Sequence, residues 1–151
     1  MSSEEYFIKK SNITEFVIHD YVYNVTKNYR DIIHIPKVYN FDDITQQIHM
    51  EKIPHMNVSD YYGENWNDVP KWIQKEIKKI IKTLFFNGII YPDITGYNFI
   101  EYDEKIWIID FEHSFMYNIS YDRMTENQKL HYDFVKEFIT DENCGWNPYF
   151  R

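Results

Sequence analysis

Asp93, Asn98 and Asp110 are residues of this sequence whose types and spacing could do chemistry together. The first two stand five positions apart in Asp93-Ile-Thr-Gly-Tyr-Asn98, and the third follows twelve positions later, closing the apolar run Ile106-Trp-Ile-Ile. Phosphoryl transfer asks for such a set. It needs a carboxylate to hold the attacking hydroxyl, and oxygen ligands for the magnesium that neutralises charge on the transferred phosphate. Asp93 is the candidate for the first task, and Asn98 with Asp110 for the second.

Those three side chains have to be delivered to one place by the elements around them. Between Asn98 and Asp110, the runs Asn98 to Tyr102 and Lys105 to Asp110 read as a hairpin turning at Asp103-Glu104. Upstream, Trp72, Ile73, Ile77, Ile80, Ile81, Leu84 and Phe85 recur at helical spacing, which predicts a core-facing helix over 68–87 with Asp68 as N-cap, Pro70 in the first turn and Gly88 as terminator. Its Lys75, Lys78, Lys79 and Lys82 read as a solvated face. A last helix is predicted from Thr125, with Gln128 completing a capping box and Leu130, Phe134, Val135 and Phe138 inward. The aromatic tail Trp146-Asn147-Pro148-Tyr149-Phe150 is expected to pack back on the domain. Nearer the start, Glu5 to Lys10 reads as a strand. Thr14 then caps a helix to about Asn28 with Val17, Ile18, Tyr21 and Val25 on one side. Ile32 to Tyr39 and Gln47 to Ile53 read as two further strands joined by a turn at 40–43, with Pro36 placing the first on an edge.

At this point the sequence resembles the protein-kinase-like superfamily, whose catalytic loop H-R-D-x-x-x-x-N and metal-binding D-F-G match the spacing of Asp93, Asn98 and Asp110. Tyr91-Pro92 replaces the His-Arg pair, and Glu112 replaces the Gly. The resulting Asp-Phe-Glu triplet is similar to that of the aminoglycoside and choline kinase branch. The resemblance implies an α+β, truncated protein-kinase-like fold in a single domain: a small β-rich N-lobe remnant over 1–53 without a glycine-rich loop, and a reduced, mainly helical C-lobe over 54–151. It also implies ATP and Mg2+ as cofactors, with the backbone around Glu51 to Ile53 receiving the adenine. Lys9 or Lys10 would touch the phosphates, and Glu15, or else Asp20, would be the acidic partner on the first helix. Only eight residues precede Lys9 and forty-one follow Asp110, so the lid, a full activation segment and a peptide-docking subdomain are not expected. Shortened kinase-like chains of giant DNA viruses are similar, and the composition, with no Ala and only two Leu, fits an AT-rich viral source.

Composition narrows the alternatives. A chain of 151 residues with 44% hydrophobic and 26% charged residues suits one globular domain. A net charge of −8 disfavours nucleic-acid partners. Four scattered glycines cannot form a phosphate-cradling loop, and the six histidines show no helical i, i+4 pair for zinc. Cys144 is alone, which suits a reducing cytoplasm, that of the host if the source is viral. No membrane segment is expected. Two functions follow as expectations. One is a minimal atypical kinase-like enzyme acting on an unknown hydroxyl. The other is a pseudokinase whose exposed aromatics, such as Tyr61, Tyr62, Trp66 or the tail, bind a protein partner or a second copy.

Overall fold

The computed structural model describes residues 6–118 and 120–150. Strand β1, Tyr6–Lys10, pairs antiparallel with β3, Gln47–Glu51, which pairs antiparallel with β2, Val38–Asp42. Glu5, the expected first strand residue, lies outside the described residues. Helix α1, Ile13–Val25, lies against this sheet. Val38, Ile48 and Met50 form a small core between them with Phe16 and Phe41.

Several expectations for this part are corrected. The N-cap of α1 is Asn12 rather than Thr14, its side chain accepting the Glu15 N–H at 2.9 Å. The inward face of the helix carries Glu15, His19 and Val22, while Val17 and Tyr21 are exposed. Hydrophobic periodicity misses this because two polar side chains are buried by specific partners. Residues 32–37 do not form a strand. Ile33 and Ile35 do alternate inward, but no neighbouring strand offers them a ladder beyond the bridge of His34 to Trp107. The β2–β3 turn falls at 43–46 instead of 40–43, because Asp42 accepts the N–H groups of Ile44 and Thr45 and Gln46 takes φ 56°. Strand β3 ends at Glu51, short of Ile53.

The rest of the molecule is built on helices. A short helix not anticipated from the sequence, α2, Val58–Tyr62, precedes the long α3, Lys71–Phe86. Asp68 sits in a 3-10 turn, so the N-cap position of α3 is Pro70, without a side-chain cap. Six α3 side chains, Ile73, Ile77, Ile80, Ile81, Leu84 and Phe85, are buried, a gross gain of roughly 9–18 kcal/mol that outweighs any helix propensity. Trp72, expected on that face, is instead 43% exposed. Lys78 is not solvated either: its Nζ donates to the carbonyls of Phe138, Asp141 and Cys144, closing the end of the last helix. Gly88, at φ 81°, ends α3 and leads into β4, Ile89–Ile90.

The hairpin of β5, Phe99–Tyr102, and β6, Lys105–Ile108, turns through Asp103 and Glu104, both at positive φ as a two-residue hairpin turn requires. Strand β7, Phe115–Met116, pairs with β4. Helix α4, Glu126–Thr140, carries the capping box of Thr125 and Gln128. It buries His131, Val135 and Phe138, whereas Leu130 is exposed and Phe134 only partly covered. Trp66, expected as an exposed aromatic, is buried against Phe138 and Trp146. The architecture is α+β, and among the described residues no helix is long and apolar enough to cross a membrane.

Candidate active site

The end of β1 and the first turn of α1 are joined by two residues, so the Asn12 cap fixes which acidic side chain meets which lysine. Glu15, 1% exposed, accepts from Lys9 Nζ at 2.7 Å and from Ser11 Oγ. Lys9 Nζ also lies 3.2 Å from Asp110 Oδ1. Burial works against the Lys9 charge, yet the hydrogen bond and charge of Glu15 and the charge of Asp110 prevail and hold its pKa above the ordinary value. Lys10 and Asp20 are exposed and take no part in this contact. Carboxylate oxygens of Glu15, Asp110 and Glu112 come within 4.8 Å of one another. The three carboxylates form an all-oxygen donor set, which fits a hard divalent cation such as magnesium rather than a soft metal.

Asp93 stands in the loop after β4. Asn98 Nδ2 donates to the Asp93 carbonyl at 2.9 Å, and the Ile109 N–H donates to the Asn98 carbonyl at 3.0 Å, so the hairpin end and the loop are tied residue to residue. The wholly buried Tyr91 adds a second tie, its hydroxyl donating to the Ile109 carbonyl. Burial raises the Asp93 carboxyl above its ordinary pKa; hydrogen bonding from Asn98 opposes this, and the Asp110 charge adds to it. A carboxyl tuned upward in this way suits a group that takes a proton.

Asp110 itself adopts φ 65°, the left-handed region, where Asp is tolerated because its side chain can bond locally; here Oδ1 faces the Glu112 N–H at 3.4 Å. Phe111 is buried between Tyr91, at 5.3 Å between ring centroids, and His19, at 5.0 Å. His19 Nε2 is 2.7 Å from the Pro36 carbonyl, and burial lowers its pKa. A column of three rings thus runs from the loop to α1, holding Glu15 over Asp110. Hydropathy alone does not reveal it, because its outermost member is a histidine.

A cleft of about 540 Å3 opens beside this cluster. Lys9, Asn98, Asp110 and Glu51 to Ile53 line it, and Pro36, Met50, Ile100 and Ile109 supply apolar walls. The Glu51 N–H is used by the Lys37 carbonyl at 2.8 Å, and the Ile53 carbonyl by the His55 N–H at 2.9 Å. Among the described residues no bond uses the Ile53 N–H. The cleft thus brings together Lys9, Glu51, Ile53, Asn98 and Asp110, while Lys10 stands apart. Sequence reading assigned Pro36, Ile100 and Ile109 no place in a cleft; Ile100 and Ile109 stood there only as members of apolar strand runs.

No family model and no curated protein matches the chain. Solved structures do. The Cydia pomonella granulovirus kinase PK-1 is similar at TM-score 0.54 and 17% identity, over 89% of this chain and 58% of that one. The Rio2 kinase of Chaetomium thermophilum, solved as an ADP/Mg2+-phosphoaspartate complex, is similar at TM-score 0.54 and 17% identity, over 84% of this chain and 36% of that one. The Rad53 kinase domain gives TM-score 0.55 and 18% identity, over 89% and 54%. The chain therefore has a protein-kinase-like fold and spans between about a third and three fifths of these three chains.

Proposed function

We propose that the protein is a minimal atypical kinase that transfers a phosphoryl group from Mg-ATP to a hydroxyl acceptor. Residues 1–53 would act as a reduced N-lobe and 54–151 as a reduced C-lobe, in the cytoplasm, that of a host cell if the source is viral. The observation that carries the reading is the three-way contact of Lys9, Glu15 and Asp110 at the mouth of the 540 Å3 cleft. Glu15 holds the Lys9 ammonium in place, and the ammonium faces the phosphates. Asn98 and Asp110 hold Mg2+, which when bound supplies positive charge against the phosphate oxygens. The apolar walls take the base, with the free Ile53 N–H as a donor to it. Asp93 orients the acceptor hydroxyl and accepts its proton, aided by a pKa above the ordinary carboxylate value.

Thermal unfolding with and without Mg-ATP tests the site. At 100-fold excess over Kd the ligand stabilises by about 2.7 kcal/mol, which for a domain of this size raises Tm by roughly 5–11 °C. Asp110→Asn should abolish the rise, and an unchanged Tm in wild type at millimolar Mg-ATP refutes the nucleotide site. Turnover is tested separately by phosphate release or autophosphorylation, expected to vanish in Asp93→Ala while nucleotide binding persists.

A specific observation favours the second reading, a pseudokinase that binds a partner. Ile13, Val17 and Tyr21 form an exposed stripe on α1, and Ile44, in the β2–β3 turn, is 92% exposed. A Tm rise with Mg-ATP but no turnover under any acceptor leaves that reading in front.

A further inference from the structure

The loop around Asp93 is held from outside by the segment after α4. Asn147 is 1% exposed. Its Nδ2 donates to the Pro92 carbonyl at 2.7 Å, and its backbone N–H donates to the Ile94 carbonyl at 2.8 Å. The residue thus grips the peptide on each side of Asp93. Inside the loop, Pro92 also accepts from the Ile94 N–H at 2.8 Å, and Asp93 accepts from the Thr95 N–H at 3.0 Å as well as from Asn98. Every carbonyl from 92 to 94 is therefore engaged, two of them by one asparagine.

Asn147 is itself rigidly mounted. Its Oδ1 accepts the Tyr149 N–H at 3.0 Å. Trp146 packs edge-on to Trp66 at 4.6 Å and stacks on Phe99 at 6.2 Å, while the Gly145 position lies so close to Trp66 that a Cβ there would come within 2.7 Å of the ring. On the other side, Phe150 sits against His113 at 5.0 Å and His131 at 5.2 Å, so the segment also touches the turn that follows Asp110.

We propose that residues 145–150 are a working part of the active site, with Asn147 as the positioning residue that sets the orientation of Asp93. The two bonds from this buried residue fix the 92–93 and 94–95 peptide planes, and between them the stretch of backbone that carries the Asp93 carboxyl; a misplacement of about 1 Å at such a group costs on the order of 100-fold in rate. The kinetic part of this inference rests on the phosphotransfer reading. The structural part does not.

The test compares Asn147→Ala with Thr125→Ala, which removes the α4 cap far from the loop and lowers Tm without touching it. Asn147→Ala should lower kcat by about 10- to 100-fold with KM for ATP and the Mg-ATP Tm rise unchanged, while Thr125→Ala keeps the wild-type kcat. If Asn147→Ala fails to fold, Asn147→Asp replaces it, because it keeps the size and the acceptor for Tyr149 but loses the donor to Pro92. An unchanged kcat in either Asn147 variant, or an equal loss in Thr125→Ala, overturns the proposal. If the wild type turns over nothing, the phosphotransfer reading has failed on its own account, and hydrogen exchange decides the rest. Faster exchange at the Thr95 and Asn98 amides in Asn147→Ala than in Thr125→Ala upholds the grip on the loop; equal exchange refutes it.

Discussion

Replacing Lys9 by Met isolates the charge at the centre of the site, because Met keeps the length and apolar stem of Lys and loses only the ammonium. Glu15 would then be a carboxylate 1% exposed, left with Ser11 and the helix start as partners and with Asp110 and Glu112 oxygens within 4.8 Å. Breaking a fully buried pair costs about 3–5 kcal/mol. Here the Lys9 and Asp110 side chains keep 25% and 28% of their exposure, so water relieves part of the penalty and about 2–3 kcal/mol remains. For a domain of this size that is a fall in Tm of roughly 4–12 °C. The double variant Lys9→Met with Glu15→Met removes the orphaned carboxylate too and should regain at least about 1 kcal/mol relative to the sum of the singles. Differential scanning calorimetry of the four proteins measures both figures. A Lys9→Met protein melting within about 1 °C of wild type, or strict additivity in the cycle, would refute the claim that Lys9 compensates the buried Glu15 carboxylate.

Acid should weaken the fold through His19. Burial disfavours its cation, and although Glu15 and Asp20 attract that charge, the folded pKa stays below the ordinary 6.5. The unfolded chain therefore binds the extra proton first. The stabilisation is complete above about pH 6.5 and is lost as pH falls below it, at up to about 1.4 kcal/mol per unit. Tm measured between pH 7.5 and 5.5 should fall less in His19→Gln, which cannot titrate but can still donate to Pro36; equal slopes contradict the assignment. Gly96→Ala should destabilise by about 1–3 kcal/mol, because the new Cβ would meet Ser59 Oγ at 2.0 Å and the Ser59 backbone N at 3.0 Å. Chemical denaturation checks this, and pairing the change with Ser59→Gly should return part of the loss.

What could be read from the residues follows the range of the forces involved. The spacing of Asp93, Asn98 and Asp110, the hairpin between the last two, the α3 face apart from Trp72, and the α4 capping box are set within a few turns of chain, and all were legible. Which lysine meets which acid was not. That choice depends on the phase of α1, set by Asn12 rather than Thr14, and a shift of two residues rotates a helix by more than half a turn. The inward face of α1 was hidden because Glu15 and His19 are buried by partners on other elements. The β-branched and aromatic residues of 32–39 suggested a strand, but a strand also needs a neighbour, and sequence does not supply one for 32–37. Lys78 and Asn147 look like ordinary surface residues until the carbonyls they serve, about 60 and 55 positions away, are known.

The bond from Asn147 to Pro92 spans 55 residues, which gives the molecule a built-in order of maturation. A nascent chain emerging at about 5–20 residues per second has exposed Asp93 for several seconds before Asn147 exists to grip its neighbours. During that interval β1, β2, β3 and α1 can already pair, whereas α3 meets α4 and Lys78 finds its carbonyls only as residues 126–144 appear. On the phosphotransfer reading, Asp93 and the cleft would be made early and trained on one another only once residues 145–150 pack over the loop.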